Sequence, residues 1–172
     1  HWLAGTLYMG VNLPVSAQLV DVVPESPYLV LRLELDAKGR LAVPSRNRAA
    51  LANGSGHVVI TADPSRCLLV YPADAWEPIQ AELMSKSSFD ARIRALQRLL
   101  VGHAEDVDID AAGRVLVPPP LREFASITRD AVLVGQGKRL ELWDASAWDA
   151  QTARAIAFDT GDLPPELSGF SL

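Results

Sequence analysis

Leu35 to Pro44 reads LDAKGRLAVP, and Ile109 to Pro118 reads IDAAGRVLVP. Asp, Ala, Gly, Arg, Val and Pro recur in the same order, six positions in ten, about seventy residues apart. The likeness extends outward. Leu68 to Trp76 (LLVYPADAW) aligns with Leu140 to Trp148 (LELWDASAW), with Tyr71 opposite Trp143, and Arg48 matches Arg122. The period is too long for the usual solenoid repeats, so two copies read as two halves of one pseudo-symmetric protein.

Each half predicts the same series of elements. Tyr28 to Leu35 alternates around Arg32 and Glu34 and reads as a strand. Asp36-Ala37-Lys38-Gly39 is a four-residue turn, in which Asp accepts from turn N–H groups and Gly supplies positive φ. Arg40 to Val43 returns as a strand, and Pro44 opens a short helix over Ser45 to Leu51, where its missing N–H costs nothing. Strands at His57–Thr61 and Cys67–Tyr71 follow, then a helix capped by Asp74 and running to about Ser85. In the second half strands are expected at Val107–Ile109, Arg114–Val117, Ala131–Gly135 and Arg139–Trp143. Short and long helices are expected after Pro120 and from about Ser146 to Phe158. Between the halves, Asp90 to Val101 predicts one helix with Ile93, Leu96, Leu99 and Leu100 on one side and Arg92, Arg94 and Arg98 on the other.

The expected organisation is a first unit over 28–86, a linking helix over 87–103, a second unit over 104–160 and a docking tail over 161–172. Residues 1–27 read as an N-terminal extension, disordered or non-native. That extension carries no Asp, Glu, Lys or Arg up to Val20, and it is broken by Gly5, Gly10, Asn12 and Pro14. It therefore fits neither a signal peptide nor a membrane span.

Apolar residues make up 49% of the 172 and charged residues 22%, as in ordinary globular proteins. Cys67 is the only cysteine, so no intrachain disulfide forms, and His57 and His103 have no second ligand at metal spacing. No Gly-rich phosphate loop or recognisable nucleophile points to an enzyme. No cofactor, metal or small-molecule substrate is expected. Net charge is -5, which excludes a uniformly basic nucleic-acid binder. Local charge differs: Ala37 to Ala50 holds Lys38, Arg40, Arg46 and Arg48 and no acid, and Ala111 to Arg122 holds Arg114 and Arg122 and no acid.

A guanidinium binds phosphate bidentately or reads guanine O6 and N7, so Arg40 and Arg114 are candidate DNA contacts. The competing role is a turn-fixing salt bridge to Asp36 or Asp110, four residues away. Lys38 at the turn tip, with Arg46 and Arg48 beside the short helix, completes the candidate set; surface or subunit-interface roles compete for the last two. Asp36, Gly39, Asp110 and Gly113 read as turn formers.

LDAKGRLAVPSRNR, RCLLVYPADAW, LQRLLVGHA, IDAAGRVLVPPPLR, LVGQGKRLELWD and the LPPEL–GFSL ending resemble the MraZ family, bacterial regulators built from two AbrB/SpoVT-like units. The resemblance covers about Leu33 to Leu172. It implies an α+β, mainly β fold, with tandem units forming a pseudo-symmetric double-split β-barrel flanked by helices. It further implies a closed ring of subunits that binds tandem direct repeats in double-stranded DNA and represses the division and cell-wall gene cluster. Such a protein is cytoplasmic and nucleoid-associated, with no membrane partner. By resemblance, the DNA-contacting residues fall on Lys38, Arg40 and Arg114. Ala112 stands where the first copy has Lys38, so the two hairpins are not equal. A second reading from another class is a protein-interaction module like an antitoxin-type AbrB-like dimerisation unit, which the short apolar tail disfavours.

Overall fold

The computed structural model describes residues 28–52, 55–136, 139–158 and 164–167. The expected N-terminal extension lies outside these residues, as does the expected tail apart from 164–167. The elements, in chain order, are β1 (Tyr28–Glu34), β2 (Arg40–Ala42), α1 (Ser45–Ala52), β3 (His57–Ala62), β4 (Leu68–Pro72), α2 (Ala73–Ser85) and α3 (Ala91–Leu96). There follow β5 (Glu105–Asp108), β6 (Arg114–Leu116), α4 (Pro119–Phe124), β7 (Asp130–Gln136), β8 (Leu140–Asp144) and α5 (Ala145–Ile156).

Six strands form one antiparallel sheet in the order β1-β7-β8-β4-β3-β5. That order is a palindrome of the duplication: β1 corresponds to β5, β3 to β7 and β4 to β8. The first strand of each half is therefore exchanged. β1 pairs with β7 of the second half and β5 pairs with β3 of the first, and Arg32↔Val132 has its counterpart in Asp106↔Val59. Neither half completes its sheet alone.

The second sheet is the ribbon β2–β6. Arg40↔Leu116 and Ala42↔Arg114 flank Leu41↔Val115, and those central residues hold the same place in their two motif copies. The pseudo-two-fold axis thus passes between Leu41 and Val115. The expected double-split β-barrel is not what the described strands show: both sheets are open. The cause is local. The turns at Asp36 and Asp110 leave only the isolated bridges Leu35↔Leu41 and Ile109↔Val115 between the exchanged strands and the ribbon.

Leu41, Val43, Val115 and Val117 under the ribbon pack on Ile60, Val70, Leu133 and Leu142 of the large sheet, with Leu51 of α1 and Leu121 of α4 closing the sides. The void left at this centre measures about 10 Å³, room for one water at most and for no ligand. Asn47 and Leu121 occupy equivalent places, each preceding the matched arginine. Leu121 is 1% exposed, whereas Asn47, 8% exposed, buries an Oδ1 with no hydrogen-bond partner among the described residues. Cys67, Trp76 and Trp143 are buried as their apolar settings predict, and Trp148 is half-buried against Trp143. Burial pushes the Cys67 thiol far up, so it stays a neutral apolar filler.

Two local expectations need correction. Asp74 does not cap α2: Pro72 holds the N-cap position without a side-chain bond, and Asp74 lies in the first turn. The cap is made in the other half, where Asp144 at the position equivalent to Pro72 accepts from Ala147 N–H at 3.1 Å. The linking helix is also not uniform. Asp90 caps α3, accepting from Arg92 N–H at 2.8 Å, but Gln97–Val101 widens into a π turn closed by Gly102 N–H to Gln97 O at 3.2 Å. The Thr61 hydroxyl donates to Leu100 O there, and Leu99 and Leu100 turn into separate apolar clusters while Leu96 stays 41% exposed.

Candidate nucleic-acid interface

Each motif folds as an Asp-bracketed hairpin. Asp36 Oδ1 accepts from the backbone N–H groups of Lys38 (2.9 Å) and Arg40 (3.0 Å), and Oδ2 accepts from Arg40 Nε (2.7 Å). Asp110 repeats this with Ala112 N–H, Arg114 N–H and Arg114 Nε, all at 2.9 Å. Gly39 and Gly113 close the turns with φ of +78° and +75°, where a side chain is disfavoured. Turn formation is thus the role the structure gives Asp36, Gly39, Asp110 and Gly113.

The backbone N–H of Arg40, with further help from its side chain and from Lys38 N–H, holds the Asp36 carboxyl at about 2 against an ordinary 3.8. The same groups of Arg114 and Ala112 lower Asp110. A depressed carboxyl stabilises the fold above its unfolded value and loses that contribution as pH falls through the folded value. The stabilisation is therefore full at pH 4, declines below it, and the first hairpin opens as pH falls through about 2. Amide chemical shifts of Lys38 and Arg40, followed by NMR, should titrate with a midpoint near 2; a midpoint at the ordinary carboxylate value would contradict the bracket.

The ribbon's alternation sorts its side chains by face. Leu41 and Val115 point into the core, while Arg40, Ala42, Arg114 and Leu116 share the opposite face. Arg40 and Arg114 sit diagonally across this face with Cα atoms about 8 Å apart by strand geometry. Ala42 and Leu116 lie between them, Leu116 at 44% exposure. The described contacts of both arginines to Asp36 and Asp110 use Nε, one of a guanidinium's five N–H donors. The salt bridge and an outward contact are therefore compatible rather than exclusive.

Lys38 is exposed at the first turn, and Arg46 is exposed at the start of α1. Arg48 is placed otherwise. Its Nε donates to Val43 O at 2.8 Å, and its guanidinium lies against Gly113 of the other half. Arg122 mirrors it, with Nε to Val117 O at 3.0 Å and its guanidinium against Gly39. Arg92 and Arg94 serve the linker, pairing with Asp90 and with the carbonyls of Ser88 and Phe89. Sequence reasoning passed over Ala42 and Leu116, which strand alternation around Arg40 and Arg114 could have placed on the face. Arg122 was visible as the match of Arg48 and as a cation of the second basic stretch, but it was not among the candidate contacts. Among the described residues no group of three or more metal-ligating side chains occurs, and no helix is long and apolar enough to cross a membrane.

The chain matches the family model for MraZ protein, whose description includes the words antitoxin-like, twice, over residues 31–99 and 100–163. It is similar to transcriptional regulator MraZ of Methylobacillus flagellatus, 57% identical over 141 residues, 81% of this chain and 95% of the relative. It is 54% identical to transcriptional regulator MraZ of Nitrosomonas eutropha over 142 residues, 82% of this chain and 96% of that one. The protein of the same name from Chromobacterium violaceum is 45% identical over 141 residues, 81% and 95% of the two chains.

Proposed function

Since this chain belongs to the MraZ family, whose curated members are transcriptional regulators and not enzymes, we propose that it is a DNA-binding repressor. Its targets are tandem direct repeats in the promoter of the division and cell-wall gene cluster, and it acts in the cytoplasm at the nucleoid. The observation that carries this reading is the outward face of the β2–β6 ribbon, with Arg40 and Arg114 set diagonally around Ala42 and Leu116. A two-stranded ribbon enters the major groove, arginine pairs with guanine or phosphate, and apolar side chains meet thymine methyls. Lys38 at the tip of the hairpin and Arg46 at the start of α1 add phosphate contacts, and the larger share of charge falls to the first copy.

One protomer offers few contacts, so it binds weakly and with strong salt dependence. Self-association into a ring supplies the missing affinity, because a second hairpin then meets a second repeat at high effective concentration. The test is a titration of fluorescent duplexes carrying one to four repeats of the chain's own upstream region, beside native mass measurement of the free protein. Affinity should rise at least ~100-fold from one repeat to three or four. Equal affinity for one repeat and four, or a monomer that binds four tightly, overturns the multivalent reading.

A further inference from the structure

Arg48 and Arg122 are the two cations of the motif region whose surroundings a direct DNA contact does not explain. A Cβ built on Gly39 would fall 2.5 Å from Arg122 Cζ and 2.7 Å from its Nε and Nη1; one built on Gly113 would fall onto the Arg48 guanidinium. Each guanidinium therefore rests on the peptide of the opposite half's turn, at the one residue without a side chain.

The anchor of each arginine is equally specific. Arg122 Nε donates to Val117 O, and Val117 N–H donates to Gly39 O at 3.0 Å. Arg48 Nε donates to Val43 O, and Val43 N–H donates to Gly113 O at 2.9 Å. The chain of contacts is closed: arginine to its own strand end, that strand end to the opposite glycine, and the glycine back to the arginine. Both guanidiniums are partly buried in this arrangement.

From this geometry we infer that Arg48 and Arg122 are positioning residues acting crosswise, each locking the DNA-facing hairpin of the other half. Arg122 sets the Lys38–Arg40 hairpin and Arg48 sets the Ala112–Arg114 hairpin. The two outward arginines are then offered as one rigid pair, and Arg48 leaves the set of direct DNA contacts. The crossing gives both positions a use for arginine rather than lysine. A planar guanidinium can lie flat on a peptide while its Nε reaches a carbonyl, whereas an ammonium is a point charge on a flexible stem. It also explains why both turns require glycine for a second reason besides positive φ. The DNA part of this inference rests on the proposed function; the crosswise lock does not.

The variants Arg122→Lys and Arg48→Lys keep the charge and remove the planar lock. Hydrogen exchange measured by mass spectrometry on the assembled protein should rise within 36–40 for Arg122→Lys while 110–114 stays as in the parent. Arg48→Lys should give the reverse. Affinity for single-repeat DNA should fall roughly three- to tenfold, the loss of about one hydrogen bond per hairpin, while the slope of log affinity against log salt stays unchanged because no phosphate contact is lost. Exchange that rises only in the variant's own half, or in neither, overturns the crosswise lock. Crosswise exchange with unchanged affinity overturns its role in presenting the hairpins. If the parent protein binds no repeat DNA, the proposed function fails, and the exchange arm still decides the lock. Where Arg122→Lys fails to assemble, Arg122→Met, which keeps the apolar stem and removes the guanidinium that lies against Gly39, replaces it with the same exchange readout at 36–40.

Discussion

Arg40→Ala is expected to abolish tight binding to repeat-bearing promoter DNA without changing the mass of the assembly. A well-placed arginine contact to a base or phosphate contributes about 1–3 kcal/mol, or roughly 5- to 150-fold per hairpin. When three hairpins of one assembly meet three repeats, the losses multiply, and even the lower figure exceeds ~100-fold overall. The fold survives because the Asp36 bracket keeps its bonds from the backbone N–H groups of Lys38 and Arg40, which the substitution leaves in place. Arg114→Ala should weaken binding less, since its hairpin has Ala112 where the first has exposed Lys38. Fluorescence anisotropy with three-repeat DNA, beside light scattering of the free variants, measures both. Binding by Arg40→Ala within twofold of the parent, with assembly intact, would remove the ribbon face from the DNA site.

The second large effect is a reciprocal pair in the core. Leu121→Asn should cost roughly 3–6 kcal/mol, the loss of a buried leucine plus an unpaired buried amide. That is a large part of the 5–15 kcal/mol that holds a typical domain together. Asn47→Leu should stabilise the protein by about 1–3 kcal/mol, because it removes the Oδ1 that has no partner and places the residue its symmetry mate already uses. The signs are opposite although the positions are equivalent, which distinguishes this prediction from a general intolerance of core change. Urea unfolding monitored by tryptophan fluorescence reads both midpoints. A destabilised Asn47→Leu would show that the asparagine has a structural partner, and the symmetry argument for the two sites would fall.

Much of the fold was legible because it is written locally. The Asp-turn-Gly hairpins form as the sequence predicts, since one aspartate can satisfy N–H groups two and four residues on and glycine alone accepts the left-handed turn at no cost. The strands around Ile60, Val70, Leu133 and Leu142 lie in short apolar runs buried on both faces, and Trp76 and Trp143 are buried as their apolar positions imply. Asp74 does not cap α2 because it is the right residue type two residues too late: Pro72, which ends the preceding strand, already holds the N-cap position. The π turn at Gln97–Val101 was illegible because its tertiary partner, the Thr61 hydroxyl, lies far away in sequence.

The candidate site divides the same way. Sequence singled out Arg40, Arg114 and Lys38; strand period sets each arginine opposite its core neighbour, Leu41 or Val115, and the β2–β6 pairing brings the two to one face. It treated the salt bridge and the outward contact of Arg40 as competitors, whereas the geometry allows both through different nitrogens. It grouped Arg48 with the outward cations because spacing records which residues are near in the chain and not where a long side chain lies down.

The sequence by itself determined a duplicated unit, its turns, its strands and the family to which it belongs. These rest on contacts between residues a few positions apart, and on identities that survive in both copies. Only the tertiary structure decided that β1 and β5 are exchanged between the halves and that Arg48 and Arg122 cross to the opposite turns. Two halves of the same design, alike at six motif positions in ten, offer each exchanged strand and each of the two arginines equivalent partners in its own half and across the axis. A one-dimensional pattern is blind to that choice. The choice is made by the closing of one shared core, in which Leu41 meets Val115 on the axis and the exchanged strands and the two arginines reach across it.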